Sequence, residues 1–187
     1  MIVIPNMVMI GGNSRHAGKT TLACSIISKL SVNAAVIGLK VSSVRPGESG
    51  MHGNHIAEDF SGYSITEETD RLSEKDTCSM LRAGAAPVFY IRAGEEFIEM
   101  AVARFLSRYN PGQPIVCESR SLRRFVKPGL FLMMMRMPAF GTGKDVAQYL
   151  VVADSVLHYS DDQSDIDRCA ERISFADGIF YQVKSSN

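Results

Sequence analysis

The stretch Gly11-Gly12-Asn13-Ser14-Arg15-His16-Ala17-Gly18-Lys19-Thr20-Thr21 governs the reading of the whole chain. Before it stands an apolar run, Met7–Ile10. After it, Leu22, Ala23, Ile26, Ile27 and Leu30 fall on one face of a helix. Strand, glycine-bearing loop and helix, in that order, form the context a phosphate-binding loop requires. Its backbone N–H groups must curl around phosphate oxygens, and the helix N-terminus adds partial positive charge. On this reading Gly12, Asn13, Ser14, Arg15, His16, Ala17, Gly18, Lys19, Thr20 and Thr21 cradle the phosphates of a nucleotide. Lys19 reaches the β- and γ-phosphates, and the Thr20 hydroxyl binds Mg²⁺. The match to G-x-x-x-x-G-K-[ST] is imperfect, because the first glycine of the pattern falls on Asn13. Asparagine tolerates positive φ better than most residues, so the loop is expected to form with Asn13 in that conformation. Gly143-Lys144 fails as a second such loop: Pro138 stands where the glycine belongs, and Asp145 replaces the hydroxyl.

A magnesium nucleotide also needs a carboxylate nearby. Glu118 is the first acid after the apolar run Ile115–Cys117. In a parallel sheet the carboxyl ends of the strands face the ligand crevice, so Glu118 is expected to hold Mg²⁺ through a water or to orient the attacking water. Lys40 closes the run Ala34–Leu39 and is expected at the same edge, facing phosphate or an anionic substrate. Lys19, Glu118 and Lys40 are thus the catalytic candidates, and Thr20 and Glu118 the metal ligands. Arg120, Arg123, Arg124 and Lys127 follow Glu118 and suit an anion platform or a solvated loop. His52 and His55 have a spacing compatible with a metal, but no cysteine is close to them. The methionines Met133–Met135 and Met137 read as flexible core filler or a dimer contact.

The rest of the chain agrees with an α/β fold. Apolar runs at Val88–Ile91, Ile115–Cys117, Leu130–Met137, Ser155–Tyr159 and Gly178–Val183 read as strands. Ser73 with Asp76 reads as the start of a short helix ending near Gly84. Phe97, Ile98, Ala101, Val102, Phe105 and Leu106 mark the clearest helix, which Pro111-Gly112 terminates. A helix is expected near Gly143–Val152, and Ile166, Cys169, Ala170 and Ile173 mark the last one. Strands alternating with helices predict a three-layer fold with a mostly parallel central sheet and helices on both faces. Residues 41–71 lack a sustained period and read as an excursion loop over one domain spanning 1–187.

Composition narrows the classes. Of 187 residues 45% are apolar and 21% charged, which excludes a disordered tail or a coiled coil. Twenty Lys+Arg offset twenty Asp+Glu, so a nucleic-acid partner is not expected. Cys24, Cys78, Cys117 and Cys169 form no C-x-x-C pair, which fits a reducing cytoplasm. The N-terminus lacks the basic flank of a signal peptide, and the longest apolar run, Leu130–Met135, falls short of the ~18 residues of a membrane span.

Gly-Lys-Thr-Thr at 18–21, Lys40, Lys75-Asp76-Thr77 leading to Ala83-Gly84-Ala85, and a strand ending in Glu118 together resemble the molybdopterin-guanine dinucleotide biosynthesis adaptor family. The resemblance covers roughly residues 7–120. It implies a P-loop NTPase fold, GTP binding with slow hydrolysis, a homodimer and a partner enzyme of cofactor biosynthesis, with Asp76 in the family's loop. Three positions depart from the family pattern. Val41 and Ser42 stand where histidines are common, Ser119 replaces a glycine, and the loop glycines are shifted by one. Lys40 is also similar to the lysine of the dethiobiotin-synthetase group, which implies a small-molecule kinase or ATP-dependent ligase with an acceptor near Lys40, Asp76 and Arg120. Ser14 excludes the partitioning-ATPase loop, and no Asn-Lys-x-Asp motif is present, so ATP and GTP remain equal alternatives.

Overall fold

The computed structural model describes residues 1–44, 62–108, 112–136, 146–160 and 162–183. The chain enters through β1 (Ile2–Gly12) and turns into α1 (Lys19–Ser31), β2 (Ile37–Val44), β3 (Tyr63–Glu67) and α2 (Asp76–Arg82). There follow β4 (Val88–Gly94), α3 (Ile98–Leu106), β5 (Ile115–Glu118) and β6 (Val126–Arg136). The last elements are α4 (Ala147–Leu150), β7 (Ser155–Tyr159), α5 (Gln163–Glu171), β8 (Ile173–Ala176) and β9 (Ile179–Gln182).

Seven strands form one sheet in the order β3-β4-β2-β5-β1-β6-β7. Every pairing in it is parallel except that of β3 with β4. Side chains alternate between its faces, as strand geometry requires. Val8, Ile10, Val116, Leu130 and Leu132 pack with α1, α2 and α5 on one side. Met7, Met9, Cys117, Phe131 and Met133 pack with α3 on the other, where Phe89 meets Phe105 edge-on at 5.5 Å. A parallel sheet must be covered on both faces, and the two apolar clusters do this. Met133 and Met134 are both fully buried, one in each cluster, so these methionines are core.

Several boundaries differ from the sequence reading. The first strand begins at Ile2 and passes through Pro5-Asn6 by a register shift against β6 between Ile4 and Val8. Asn6 donates to the Gln113 carbonyl at 2.6 Å. The 41–71 stretch is not all loop: β2 continues to Val44, and β3 pairs antiparallel with β4. The short helix starts at Asp76 rather than at Ser73, whose hydroxyl lies 3.1 Å from the Cys78 thiol. Phe97 belongs to a 3₁₀ turn, Glu95–Phe97, leading into α3. Ile173 leaves the last helix and opens a hairpin with β9 through Asp177-Gly178, both at positive φ (51° and 76°), so the chain ends in two strands and not one. His52, His55, Met137, Pro138 and the Gly143-Lys144-Asp145 stretch lie outside the described residues. Among those described, the helix expected near Gly143–Val152 is α4.

Candidate functional site

Register brings the sequence-predicted residues to one edge. Glu118 pairs with Ile10 on β1 and with Lys40 on β2, so the three stand side by side at the carboxyl ends of adjacent parallel strands. Just beyond β1 the chain loops back into α1. Gly18, at φ 78°, occupies the N-cap position, and no side chain caps the helix. The first turn of α1 carries no acid, and Lys19 is its first residue. A cation is unfavourable at a helix N-terminus unless an anion joins it there.

The side chains converge on Thr20. Its Oγ1 lies 2.7 Å from Glu118 Oε2 and 3.0 Å from Asp76 Oδ1. Lys40 Nζ donates to Asp76 Oδ2 and lies 3.5 Å from Glu118 Oε1. Glu118 is only 5% exposed, so it is not a solvated strand end. One hydroxyl proton cannot serve both carboxylates together, and Lys40 offsets only one of their two charges. Three oxygens from three elements, with a surplus negative charge, form the all-oxygen donor set that suits Mg²⁺. Asp76 was expected only as part of the adaptor-like segment or an acceptor pocket. Its place beside Thr20 depends on packing between α1 and α2, and its position at the head of a helix is the one local signal for it.

The loop itself is tied down at both ends. Lys19 Nζ donates to the Ser14 carbonyl at 2.8 Å, folding the side chain across the loop. A Cβ at Gly12 would stand 2.9 Å from Lys19 Cδ, so glycine leaves room for that lysine stem. Asn13 does not use positive φ; among the non-glycine residues of the loop, His16 does, at 57°. Asn13 works instead through its carboxamide. Nδ2 donates to the Arg136 carbonyl (3.1 Å), Oδ1 accepts from the Arg136 N–H (3.0 Å), and its own N–H donates to the Met134 carbonyl (3.1 Å). Arg136 Nη1 then donates to the His16 carbonyl at 2.8 Å. Tyr159, at the end of β7, packs against Gly18, where a Cβ would come within 3.0 Å of its ring.

The arginines beyond Glu118 do not gather into one platform. Arg120 donates to the Gly12 carbonyl at 3.3 Å and lies over the Tyr149 ring. Arg123 lies over Phe131, while Arg124 lies over Phe125 and pairs with both Glu95 oxygens. Lys127 is exposed on β6. All four cysteines are free thiols. Burial, reinforced by the charge of Glu118, pushes Cys24 up to about 11 and Cys117 higher still, so neither is a nucleophile at neutral pH.

No protein-family model, curated protein or solved structure matches this chain. No helix among the described residues is long and apolar enough to cross a membrane.

Proposed function

We propose that the protein binds the Mg²⁺ complex of ATP or GTP on a P-loop formed by residues 12–21 and hydrolyses it slowly. The carrying observation is the Thr20 hydroxyl, set between Glu118 and Asp76 at the start of the helix that follows the glycine-bearing turn. Thr20, Asp76 and Glu118 would hold the metal, directly or through water. Bound there, Mg²⁺ would neutralise charge on the β- and γ-phosphate oxygens. The α1 N-terminus and the loop amides bind the phosphates, and Lys19 exchanges the Ser14 carbonyl for phosphate oxygens. Glu118 orients a water whose oxygen bonds to the γ-phosphorus as the bond to the bridging oxygen breaks. The water's proton passes to the released phosphate, and Lys19 stabilises the charge that develops on the leaving diphosphate.

A second reading is favoured by Lys40. Its ammonium group, held between Asp76 and Glu118, stands on the side of the site away from β6 and β7. An anionic acceptor beside the γ-phosphate would meet it there, which makes the protein a small-molecule kinase or ligase.

Calorimetric titration of ATP and GTP, with and without Mg²⁺, into the wild type and Lys19→Ala tests the shared premise. Magnesium-dependent binding that weakens by at least about tenfold in the variant is expected, equivalent to ~1.4 kcal/mol or more. Absence of binding by either nucleotide overturns it.

A further inference from the structure

The helix that delivers Asp76 is seven residues long and lacks a capping side chain of its own: Lys75, at the N-cap position, makes no side-chain hydrogen bond to it. Its first turn is held from outside by Glu68, the residue after β3. Glu68 Oε1 accepts from the backbone N–H groups of Thr69 (3.1 Å) and Asp70 (3.0 Å). Glu68 Oε2 accepts from Thr77 Oγ1 at 2.8 Å, and Lys75 Nζ lies 4.0 Å from it. Thr77 is buried and directly follows Asp76. One carboxylate therefore joins the turn after β3 to the first turn of α2.

The surrounding contacts make the tie firm. Asp70 Oδ1 accepts from the Leu72 N–H at 2.7 Å, and Arg71 Nη1 donates to the Leu81 carbonyl at 2.9 Å. Arg82 Nη1 donates back to the carbonyls of Arg71 and Ser73 at 2.9 and 2.8 Å. The ligand atoms of Glu68, Asp70 and Cys78 fall within 4.8 Å of one another, and these capping bonds account for that closeness. Successive helical residues lie about 100° apart around the axis. Fixing Thr77 thus fixes the direction in which Asp76 projects toward Thr20 and Lys40.

We propose that Glu68 is a positioning residue: acting through Thr77, it sets the reach of Asp76 to Thr20 and so the Mg²⁺ affinity of the nucleotide site. This rests on the nucleotide reading above. Groups that orient metal ligands from behind commonly change affinity by about 10–100-fold when removed.

The test is the magnesium-dependent increment in ATP and GTP affinity, measured by calorimetry in the wild type, Glu68→Gln, Asp76→Asn and the double variant. Glu68→Gln is expected to lower that increment about tenfold while leaving magnesium-free nucleotide affinity unchanged. Added to Asp76→Asn, it should have no further effect, because its only route to the metal is already gone. A merely structural role would weaken binding equally with and without Mg²⁺ and would add in full to Asp76→Asn. Either of those results, or an unchanged increment in Glu68→Gln, overturns the inference alone. A wild type with no magnesium-dependent binding overturns both the inference and the nucleotide reading. Should Glu68→Gln fail to fold, Thr77→Val removes the same link without touching the carboxylate and carries the same expectations.

Discussion

Asn13 fastens the start of the loop to the neighbouring strand β6, at the position where a phosphate-loop consensus places glycine. In the structure its carboxamide bonds both backbone groups of Arg136, continuing the β1–β6 ladder into the loop. Asn13→Gly improves the consensus but removes both bonds and adds backbone freedom to the unbound loop. We therefore expect it to weaken nucleotide binding by roughly five- to fifteenfold, two neutral hydrogen bonds being worth about 0.5–1.5 kcal/mol each with partial compensation. Affinity of the variant beside the wild type checks this, and unchanged or tighter binding would show that the carboxamide is dispensable. Glu118 and Lys40 were legible because strand ends face the crevice and both close apolar runs. The carboxamide role of Asn13 and the place of Asp76 beside Thr20 were not, since the partners stand 123 and 56 residues away along the chain.

Among the elements, α1 does two jobs. Its N-terminus faces the site, and near its C-terminus Lys29 donates to the carbonyls of Ala170 and Glu171 at the end of α5 and of Ile173 at the start of β8. These three bonds tie α1 to the segment that closes α5 and opens β8. Lys29→Met keeps most of the stem but removes all three bonds. It should cost about 1–3 kcal/mol in urea unfolding without changing nucleotide affinity. A loss of affinity as large as that in Lys19→Ala would show that α1 is not rigid enough to separate its two ends. The major strands and the amphipathic α1, α3 and α5 were legible from periodicity. The strand β3 was not: it is a short edge strand, half-exposed along its length, inside a stretch rich in Gly, Ser and charge. The final hairpin turns on Asp177-Gly178, both at positive φ, and the helical spacing of Ile166, Cys169, Ala170 and Ile173 ran two residues past the end of α5 into its first strand.

At the scale of the molecule, two apolar clusters clamp a single sheet, and the polar site sits where that sheet ends. Acid should loosen this arrangement at α2, and only once the pH is below the ordinary carboxylate range. Burial pulls the Glu68 carboxyl upward, but hydrogen bonds from Thr77, the Asp70 N–H and Cys78, together with the charge of Lys75, outweigh it and leave the group below its ordinary range. A depressed folded-state value stabilises the fold above the unfolded pKa, and that stability is lost as pH falls through the folded one. The Tm of the wild type should accordingly fall more steeply than that of Glu68→Gln, which has no such proton to take up, as pH drops below the ordinary carboxylate value of 4.5. Parallel curves would mean that Glu68 contributes no charge-dependent stability.

Calorimetry of ATP and GTP with and without Mg²⁺, in the wild type, Thr20→Ser and Thr20→Val, decides whether Thr20, between Glu118 and Asp76, holds the metal of a bound nucleotide. The serine variant should keep the magnesium-dependent gain in affinity, and the valine variant, equal in shape but without the hydroxyl, should lose it by about tenfold or more. Full gain in the valine variant would show that the Thr20 hydroxyl is not a metal ligand.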